Sequence, residues 1–159
     1  MSGGEIELVP AGLADLDAVM TVMEDSFEPR YGEAWTALQV AGLLPMPGVW
    51  LILARRGGDP VGFGLARLVA DEAELLLLAV RRAAQRQGIA KILLADFEAA
   101  AAHRGARRLH LEVRDGNHAV KIYERAGFAV VARRRNYYKG RDGYCFDALT
   151  LAKASGGSE

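Results

Sequence analysis

The chain has 159 residues, which suits one domain of ordinary size, and it is 51% hydrophobic and 25% charged, a composition typical of globular rather than disordered proteins. Its 20 basic and 20 acidic residues cancel, which argues against a nucleic-acid coat protein. The single cysteine, Cys145, excludes an internal disulfide, so we predict a cytoplasmic protein. No stretch approaches the roughly 20 apolar residues of a membrane helix, and no membrane partner is expected.

The first third of the sequence predicts a strand followed by two helices. A short strand around Ile6 and Leu8 precedes residues 13–27, where apolar side chains recur at helical spacing. Pro29 and its neighbours end that helix, and a second helix is expected over residues 34–43.

Three strands follow, and the third is expected in the middle of a sheet. Residues 49–55 and 61–69 flank a turn rich in Gly, Asp and Pro, which predicts a hairpin. Residues 74–80 are almost continuously apolar, as in a strand buried on both faces.

The second half predicts a helix, a strand, a short helix and two strands, over residues 88–105, 109–113, 117–126, 128–133 and 144–151. We expect Asn117 to cap the short helix and Cys145 to be buried in the last strand. The whole pattern predicts an α/β fold with a mixed central sheet of about six to seven strands and about four flanking helices. Residues 1–153 would form one domain, and residues 154–159 a flexible tail.

A polar loop joins the predicted central strand to the next helix and suits phosphate binding. The helix begins near Gly88, and free N–H groups at a helix start, together with the helix dipole, attract phosphate. Four basic side chains lie in or beside the loop: Arg81, Arg82, Arg86 and Lys91. A solvated basic turn before an ordinary helix is the alternative, and the loop alone leaves both open.

Two residues further along could exchange protons with a substrate. Glu112 lies on the strand face opposite its apolar neighbours, where a carboxylate can act as a general base. Tyr123 carries a phenol, with an ordinary pKa of about 10, that can protonate a leaving group. A solvent-facing glutamate and a packed tyrosine are the alternatives. The three histidines lack the spacing of a metal site, and no metal is expected.

The order of these motifs resembles the GNAT family of acyl-CoA-dependent N-acetyltransferases. The motifs are Gln-x-x-Gly-x-Ala from Gln85, Leu-Glu-Val-Arg around Glu112, Asn117, and Ile-Tyr-x-x-x-Gly-Phe around Tyr123. The run Arg-Arg-Asn-Tyr-Tyr at residues 134–138 is similar to the RimI-type branch, which acetylates the N-terminal amine of a ribosomal protein. The resemblance covers residues 71–151 and is weak in the first third.

The resemblance implies acetyl-CoA as co-substrate and assigns expected roles. The backbone of Leu78, Ala79 and Val80 would pair with the pantetheine arm. The pyrophosphate would be held by Arg86, Gln87, Gly88, Ile89, Ala90 and Lys91. Asn117 would contact the cofactor near the thioester, Glu112 would accept a proton and Tyr123 would donate one.

The expected reaction is acetylation of a protein or peptide N-terminus, such as the N-terminal alanine of a ribosomal protein, by direct attack in a ternary complex. A peptide groove could be lined by four aromatic residues: Tyr31, Trp35, Tyr137 and Tyr138. We expect a monomer or weak dimer without direct nucleic-acid contact. The alternatives are a GNAT enzyme for a small-molecule amine, a non-catalytic acyl-CoA-binding module, and a small interaction domain.

The zero net charge is a cancellation between two halves. Residues 1–80 carry a net charge of −8 and residues 81–159 a net charge of +8. The basic half contains the proposed phosphate loop, and the acidic half contains helices expected to border a cationic amine. The chain therefore suits two partners of opposite charge.

Overall fold

Seven strands form one sheet in the computed structural model of the chain, which describes residues 4–156. The strands are β1 (Ile6–Ala11), β2 (Val49–Arg56), β3 (Asp59–Val69), β4 (Glu72–Val80), β5 (Arg108–Arg114), β6 (Ala129–Lys139) and β7 (Cys145–Ala154). Their order across the sheet is β1-β2-β3-β4-β5-β7-β6. Only β4 and β5 pair in parallel; the other neighbours are antiparallel.

Helices cover both faces of this sheet. They are α1 (Leu16–Ser26), α2 (Ala37–Leu43), α3 (Ile89–His103) and α4 (Ala119–Arg125), with short 3-10 helices between some elements. The predicted mixed sheet of about six to seven strands with about four helices is confirmed, including the central place of β4. No helix within residues 4–156 is long and apolar enough to cross a membrane.

Several predicted boundaries were wrong, for local reasons. The second helix begins at Ala37 because Thr36 caps it: the Gln39 N–H donates to Thr36 Oγ1 (3.1 Å), and the Thr36 N–H donates to Gln39 Oε1 (2.7 Å). The strand predicted to end at Arg133 continues to Lys139. Cys145 is exposed rather than buried, because β7 enters the core only from Ala148 onward.

The predicted division into a domain and a tail stays a prediction. Ala154 still belongs to β7, and the N–H of Ser155 donates to the carbonyl of Arg107 at 2.9 Å. Residues 1–3 and 157–159 lie outside the described residues.

The core has one apolar layer on each face of the sheet. α1 and α2 pack on a cluster that includes Met23, Leu53 and Phe63, all with 0% exposure. α3 and α4 pack on the opposite cluster, which includes Phe97 and Leu111. Burial of large apolar side chains at about 25 cal/mol per Å² makes these two layers the main source of stability.

A bulge in β4 determines where the sheet opens. Leu65 of β3 pairs with Leu77 while Ala66 pairs with Leu75, so Leu76 is an extra residue in β4. The bulge places Leu75 in the α3-side core and Leu77 in the α1-side core. Pairing with β5 also stops there, since its last pair is Leu75 with Leu111. Beyond it, residues 76–80 of β4 and 112–114 of β5 border a gap, which we call the β4–β5 gap.

Two loops are docked against each other near the end of the sheet. The α1–α2 loop (residues 27–36) contacts the β6–β7 loop (residues 140–144), and the Arg141 N–H donates to the carbonyl of Pro29 at 3.1 Å. A Cβ on Gly140 would overlap the carbonyl of Arg30, and a Cβ on Gly32, where φ is +68°, would overlap that of Lys139. Glycine at both positions allows the two backbones to touch.

We therefore expect Gly140→Ala to separate the loops and to lower the free energy of unfolding by about 1–3 kcal/mol, because a methyl group would be forced against a carbonyl. Gly42→Ala is the control, since its new Cβ meets nothing within 4 Å inside α2; it should stabilise the protein by about 0.5–1 kcal/mol. Urea denaturation measures both, and an unchanged midpoint for Gly140→Ala would contradict the close approach.

Candidate functional site

The edge of β4 presents backbone groups to the β4–β5 gap. The N–H of Arg81 donates to the carbonyl of Val61 in β3, at 2.8 Å. Because successive residues of a strand point their backbone groups to opposite sides, those of Val80 and Leu78 point to the gap. Of the three predicted contact residues, Leu78 and Val80 therefore face the gap, and the backbone of Ala79 faces β3. Gln85 Nε2 already donates to the Val80 carbonyl at 3.0 Å. The Val80 N–H is therefore the backbone group of this residue that stays available to a ligand in the gap.

The start of α3 lies at one end of the gap. Gly88 precedes the helix with φ at +83°, and a Cβ there would meet nothing within 4 Å. The N–H of Ile92 makes the first helical bond, to the Gly88 carbonyl at 3.0 Å. The preceding N–H groups, of Ile89, Ala90 and Lys91, therefore lack a partner inside the helix. This open helix start can accept an anionic group.

The loop before α3 is anchored at its beginning and exposed at its end. The Asp25 carboxylate at the end of α1 accepts from the Arg82 N–H (2.8 Å) and lies 3.6 Å from Arg81 Nε. Arg86 adopts φ of +65°, an uncommon conformation for a residue other than glycine. The side chains of Arg86, Gln87 and Lys91 are exposed, whereas Ile89 is buried and can contribute only its backbone.

Glu112 stands on β5 beside the other end of the gap. Its Oε2 accepts a hydrogen bond from Thr150 Oγ1 (3.3 Å), the residue directly opposite on β7, and lies 3.0 Å from Arg134 Nε. Its side chain is 17% exposed. These contacts hold the carboxylate in place and leave part of it open to solvent.

The Asn-Tyr-Tyr run lies at a bulge in β6. Arg134 pairs with Ala148 and Tyr138 pairs with Phe146, so β6 is longer than β7 between these pairs. Asn136 adopts φ of +53°, and its N–H donates to Asp147 Oδ1 at 2.9 Å. Asn tolerates this left-handed conformation better than most residues. Beyond the bulge, Tyr137 lies close to Glu112, and Tyr138 lies near both Glu33 and Glu112.

These tyrosines lie close to carboxylates. Burial raises the pKa of Tyr138 well above its ordinary value, and the Glu33 and Glu112 carboxylates raise it further. Partial burial, followed by the Glu112 carboxylate, also raises the pKa of Tyr137. Both hydroxyls therefore stay protonated near neutral pH and can donate hydrogen bonds.

Tyr123 of α4 belongs to the core on the α3 side. Its ring meets Phe128 edge-on with centroids 6.2 Å apart. Burial strongly raises the pKa of its hydroxyl, and the Glu33 carboxylate adds to that shift. The phenol thus keeps its proton to a higher pH than an exposed tyrosine does, and it is packed in the core. Its role as a proton donor stays a prediction.

Glu33, in the α1–α2 loop, was missed by sequence reasoning. Its side chain is 9% exposed; Oε2 accepts from Asn117 Nδ2 (2.8 Å), and Oε1 lies 3.4 Å from Arg114 Nε. The Oδ1 of Asn117 accepts from the Ala119 N–H (2.8 Å) at the start of α4, so both ends of the Asn117 amide contact this chain. No motif marks Glu33, because it lies in the third of the sequence without resemblance.

Three of the four predicted groove aromatics lie around the gap. Tyr137 and Tyr138 border Glu112 as described, and Tyr31 meets Phe146 edge-on at 5.2 Å with the Arg114 guanidinium 3.6 Å above its ring. Trp35 instead packs against the α1-side core. Among residues 4–156, no group of three or more His, Cys, Asp or Glu side chains could hold a metal ion.

Comparison with known proteins now identifies the family. The sequence model of the Acetyltransferase (GNAT) family matches residues 16–128. The chain belongs to this family. The resemblance seen in the motifs is thereby confirmed.

Curated relatives refine the comparison. The chain is 39% identical over 98 residues to the [ribosomal protein bS18]-alanine N-acetyltransferase of Escherichia coli K12, covering 61% of this chain and 66% of that one. It is 36% identical over 92 residues to the enzyme of the same name from Haemophilus influenzae, covering 58% and 63%. The matched region thus spans slightly less than two-thirds of these relatives.

Solved structures agree with the fold. The ribosomal-protein-S18-alanine N-acetyltransferase of Escherichia coli superposes with a TM-score of 0.85 at 28% identity, covering 95% of this chain and 94% of that one. Arabidopsis thaliana NAA60 in complex with acetyl-CoA gives 0.79 at 20% identity, covering 94% and 98%. The second likeness shows the shared fold alone.

The raised pKa of Tyr123 predicts a loss of stability in alkali. The unfolded chain, with an ordinary pKa of about 10, loses this proton before the folded chain does as the pH rises. The free energy of unfolding should therefore fall above about pH 10, and Tyr123→Phe should flatten that fall. Urea denaturation at about pH 8 and about pH 10.5 measures the difference.

Tyr144→Phe is the matched control, because Tyr144 is 71% exposed and its change should leave the pH dependence as it is in the wild type. If the free energy of unfolding fell equally between the two pH values in the wild type and in Tyr123→Phe, burial would not raise the pKa of Tyr123.

Proposed function

We propose that the chain is an acetyl-CoA-dependent N-acetyltransferase for the N-terminal α-amine of a protein, in particular of a ribosomal protein that begins with alanine. One observation carries the proposal. The open edge of β4 leads from the free N–H groups of α3 to the Glu112 carboxylate, so an anionic donor and a cationic amine can meet in one gap. The curated relatives and the Escherichia coli structure support the substrate class.

The residues along the gap fit acetyl-CoA. The backbone of Leu78 and Val80 would pair with the amides of the pantetheine arm, as a strand edge pairs with an added strand. The pyrophosphate would meet the N–H groups of residues 89–91 in the open space at Gly88, with the exposed Arg86 and Lys91 adding charge. When bound, the thioester supplies the acetyl group. Asn117 would act near it mainly by fixing α4, since both ends of its amide contact the chain.

Proton transfers can then be assigned to side chains on either side of the gap. A substrate α-amine, with an ordinary pKa of about 7.7–8, is mostly protonated at neutral pH. Glu112 would accept its proton, directly or through a water molecule, and the free amine would attack the thioester. Tyr123, kept protonated by burial, would donate its proton to the departing thiolate.

The amine would enter from the side of the two docked loops. Tyr31, Tyr137 and Tyr138 border that entrance, and Arg134 occupies the Glu112 oxygen that an ammonium group would approach. The exposed half of the Arg134 side chain can turn away to make room. A cytoplasmic location, a monomer or weak dimer and the absence of nucleic-acid and membrane contacts remain predictions.

An assay with two amines and one blocked control peptide tests the reaction. With acetyl-CoA as donor, thiol release should accompany a peptide with a free N-terminal alanine, taken from a ribosomal small-subunit protein. The same peptide with a blocked N-terminus is the matched control and should give none, because no α-amine is available. Release with spermidine alone would instead indicate a small-molecule substrate. If coenzyme A binds in calorimetry but no thiol is released from acetyl-CoA with either amine, the chain is a non-catalytic acyl-CoA-binding module.

Replacing Glu112 tests the proton acceptor. Glu112→Gln keeps the shape and the hydrogen bond from Thr150 but cannot take a proton, so kcat/KM for the peptide should fall by about 10²–10⁴-fold. The loss should shrink as the pH rises and more of the amine is already free. Glu124→Gln, on the exposed side of α4, is the control and should leave the rate unchanged. Full activity of Glu112→Gln would remove this role.

A further inference from the structure

Glu33 is a nearly buried carboxylate that the proposed chemistry does not use. It follows Gly32, whose left-handed turn lies against the carbonyl of Lys139 and directs the loop inward. Its side chain is 9% exposed, although it belongs to a loop whose preceding residues, Pro29 and Arg30, are exposed. A carboxylate is rarely buried in a loop unless it is paired. Its partners therefore indicate its role.

The first partner, Arg114, lies on the strand that carries Glu112. Arg114 and Glu112 are two residues apart on β5 and so share one face. The Arg114 guanidinium is held between Glu33, whose Oε1 lies 3.4 Å from its Nε, and Tyr31, whose ring centroid lies 3.6 Å from its Cζ. The Arg114 side chain is 11% exposed. Glu33 is the one acidic group within ion-pair distance of Arg114 among residues 4–156. Without it, a buried cation would be left unpaired beside the proposed proton acceptor.

The second partner, Asn117, lies at the start of the helix that carries Tyr123. Asn117 donates to Glu33 through Nδ2 (2.8 Å) and accepts from the Ala119 N–H through Oδ1 (2.8 Å). The second bond satisfies one of the N–H groups that a helix start leaves free. Glu33 thus fixes the side chain that begins α4. Since α4 is only seven residues long (Ala119–Arg125), the position of its first residue determines the position of Tyr123.

We propose that Glu33 is a positioning residue, which sets the distance between Glu112 and Tyr123 by holding β5 through Arg114 and α4 through Asn117. The proposal rests on the function proposed above. Because Glu33 belongs to the α1–α2 loop, which also borders the amine entrance, the loop and the two proton-transferring residues would move together. Misplacement of reacting groups by about 1 Å can cost about 10²-fold in rate, so this link should matter for turnover rather than for donor binding.

Three substitutions separate the two links. Glu33→Gln keeps an oxygen for Asn117 and loses the charge that Arg114 needs; Glu33→Ala loses both; Glu33→Asp keeps the charge on a shorter side chain. We expect kcat for the peptide to fall about 10-fold in Glu33→Gln and about 100-fold in Glu33→Ala, with Glu33→Asp between the wild type and Glu33→Gln. The KM for acetyl-CoA and the affinity for coenzyme A should stay within about twofold, since the phosphate loop and the β4 edge are untouched.

Glu28→Gln is the matched control, because it makes the same change of charge in the same loop at an exposed position. It should leave kcat and KM unchanged. An unchanged kcat in Glu33→Ala would overturn the proposal. A loss in Glu33→Asp as large as that in Glu33→Ala would also contradict it, because a carboxylate kept in the same place would then give Arg114 no support.

Amide hydrogen exchange tests the same link without any substrate. Glu33→Ala should speed exchange of the Ala119 N–H about 10-fold or more relative to Glu28→Gln, because Asn117 is no longer held. Equal exchange in the two variants would overturn the proposal even if the enzyme were active. If the wild type acetylates no amine, the proposed function fails, and the exchange result still decides whether Glu33 positions α4.

Discussion

The β-bulge at Leu76 is the constraint on which the rest of the site depends. An extra residue in β4 is accommodated by a bend and a stronger twist, and parallel pairing with β5 ends at that residue. Because of this extra residue, Leu75 and Leu77 point to opposite faces of the sheet, and they pack in different core clusters. The bulge is therefore stabilised from both sides, because straightening β4 would remove an apolar side chain from one of the two layers.

The opposite charges of the two halves of the chain are partly used inside the protein. Asp25 and Glu33, from the acidic half, pair with Arg81 and Arg114, from the basic half. Both pairs lie beside the gap, one at the loop before α3 and the other at the end of β5. The charge split thus has a use within the fold, because it fastens α1 and the α1–α2 loop to the chain beside the gap. That it also suits two partners of opposite charge stays a prediction.

Periodic features of the fold were predictable from the sequence, and long-range ones were not. The amphipathic α1 and α3 and the apolar β4 follow from hydrophobic spacing alone. The bulge at Leu76 leaves no mark in an unbroken run of leucines, because it depends on how β3 pairs with it. Cys145 lies in a strand, as predicted, but it is exposed, because burial depends on which elements cover the strand. Glu33 meets Asn117 across 84 positions of sequence, a contact that no local pattern encodes.

The gap also brings together two residues on opposite sides of the sheet to which the proposed function assigns one reaction. Glu112 lies on the face of β5 opposite Leu111, whereas Tyr123 packs with Leu111 in the α3-side core. In a continuous sheet the hydrogen-bonded backbone of β4 and β5 would separate them. Where pairing ends, no backbone hydrogen bonds separate the two faces. The pKa of Tyr138 there is raised by groups from both sides, Glu112, Tyr123 and Glu33. In the proposed reaction, the ion-paired Glu112 would accept the proton of the amine from one face of the sheet, and the buried Tyr123 would protonate the departing thiolate from the other.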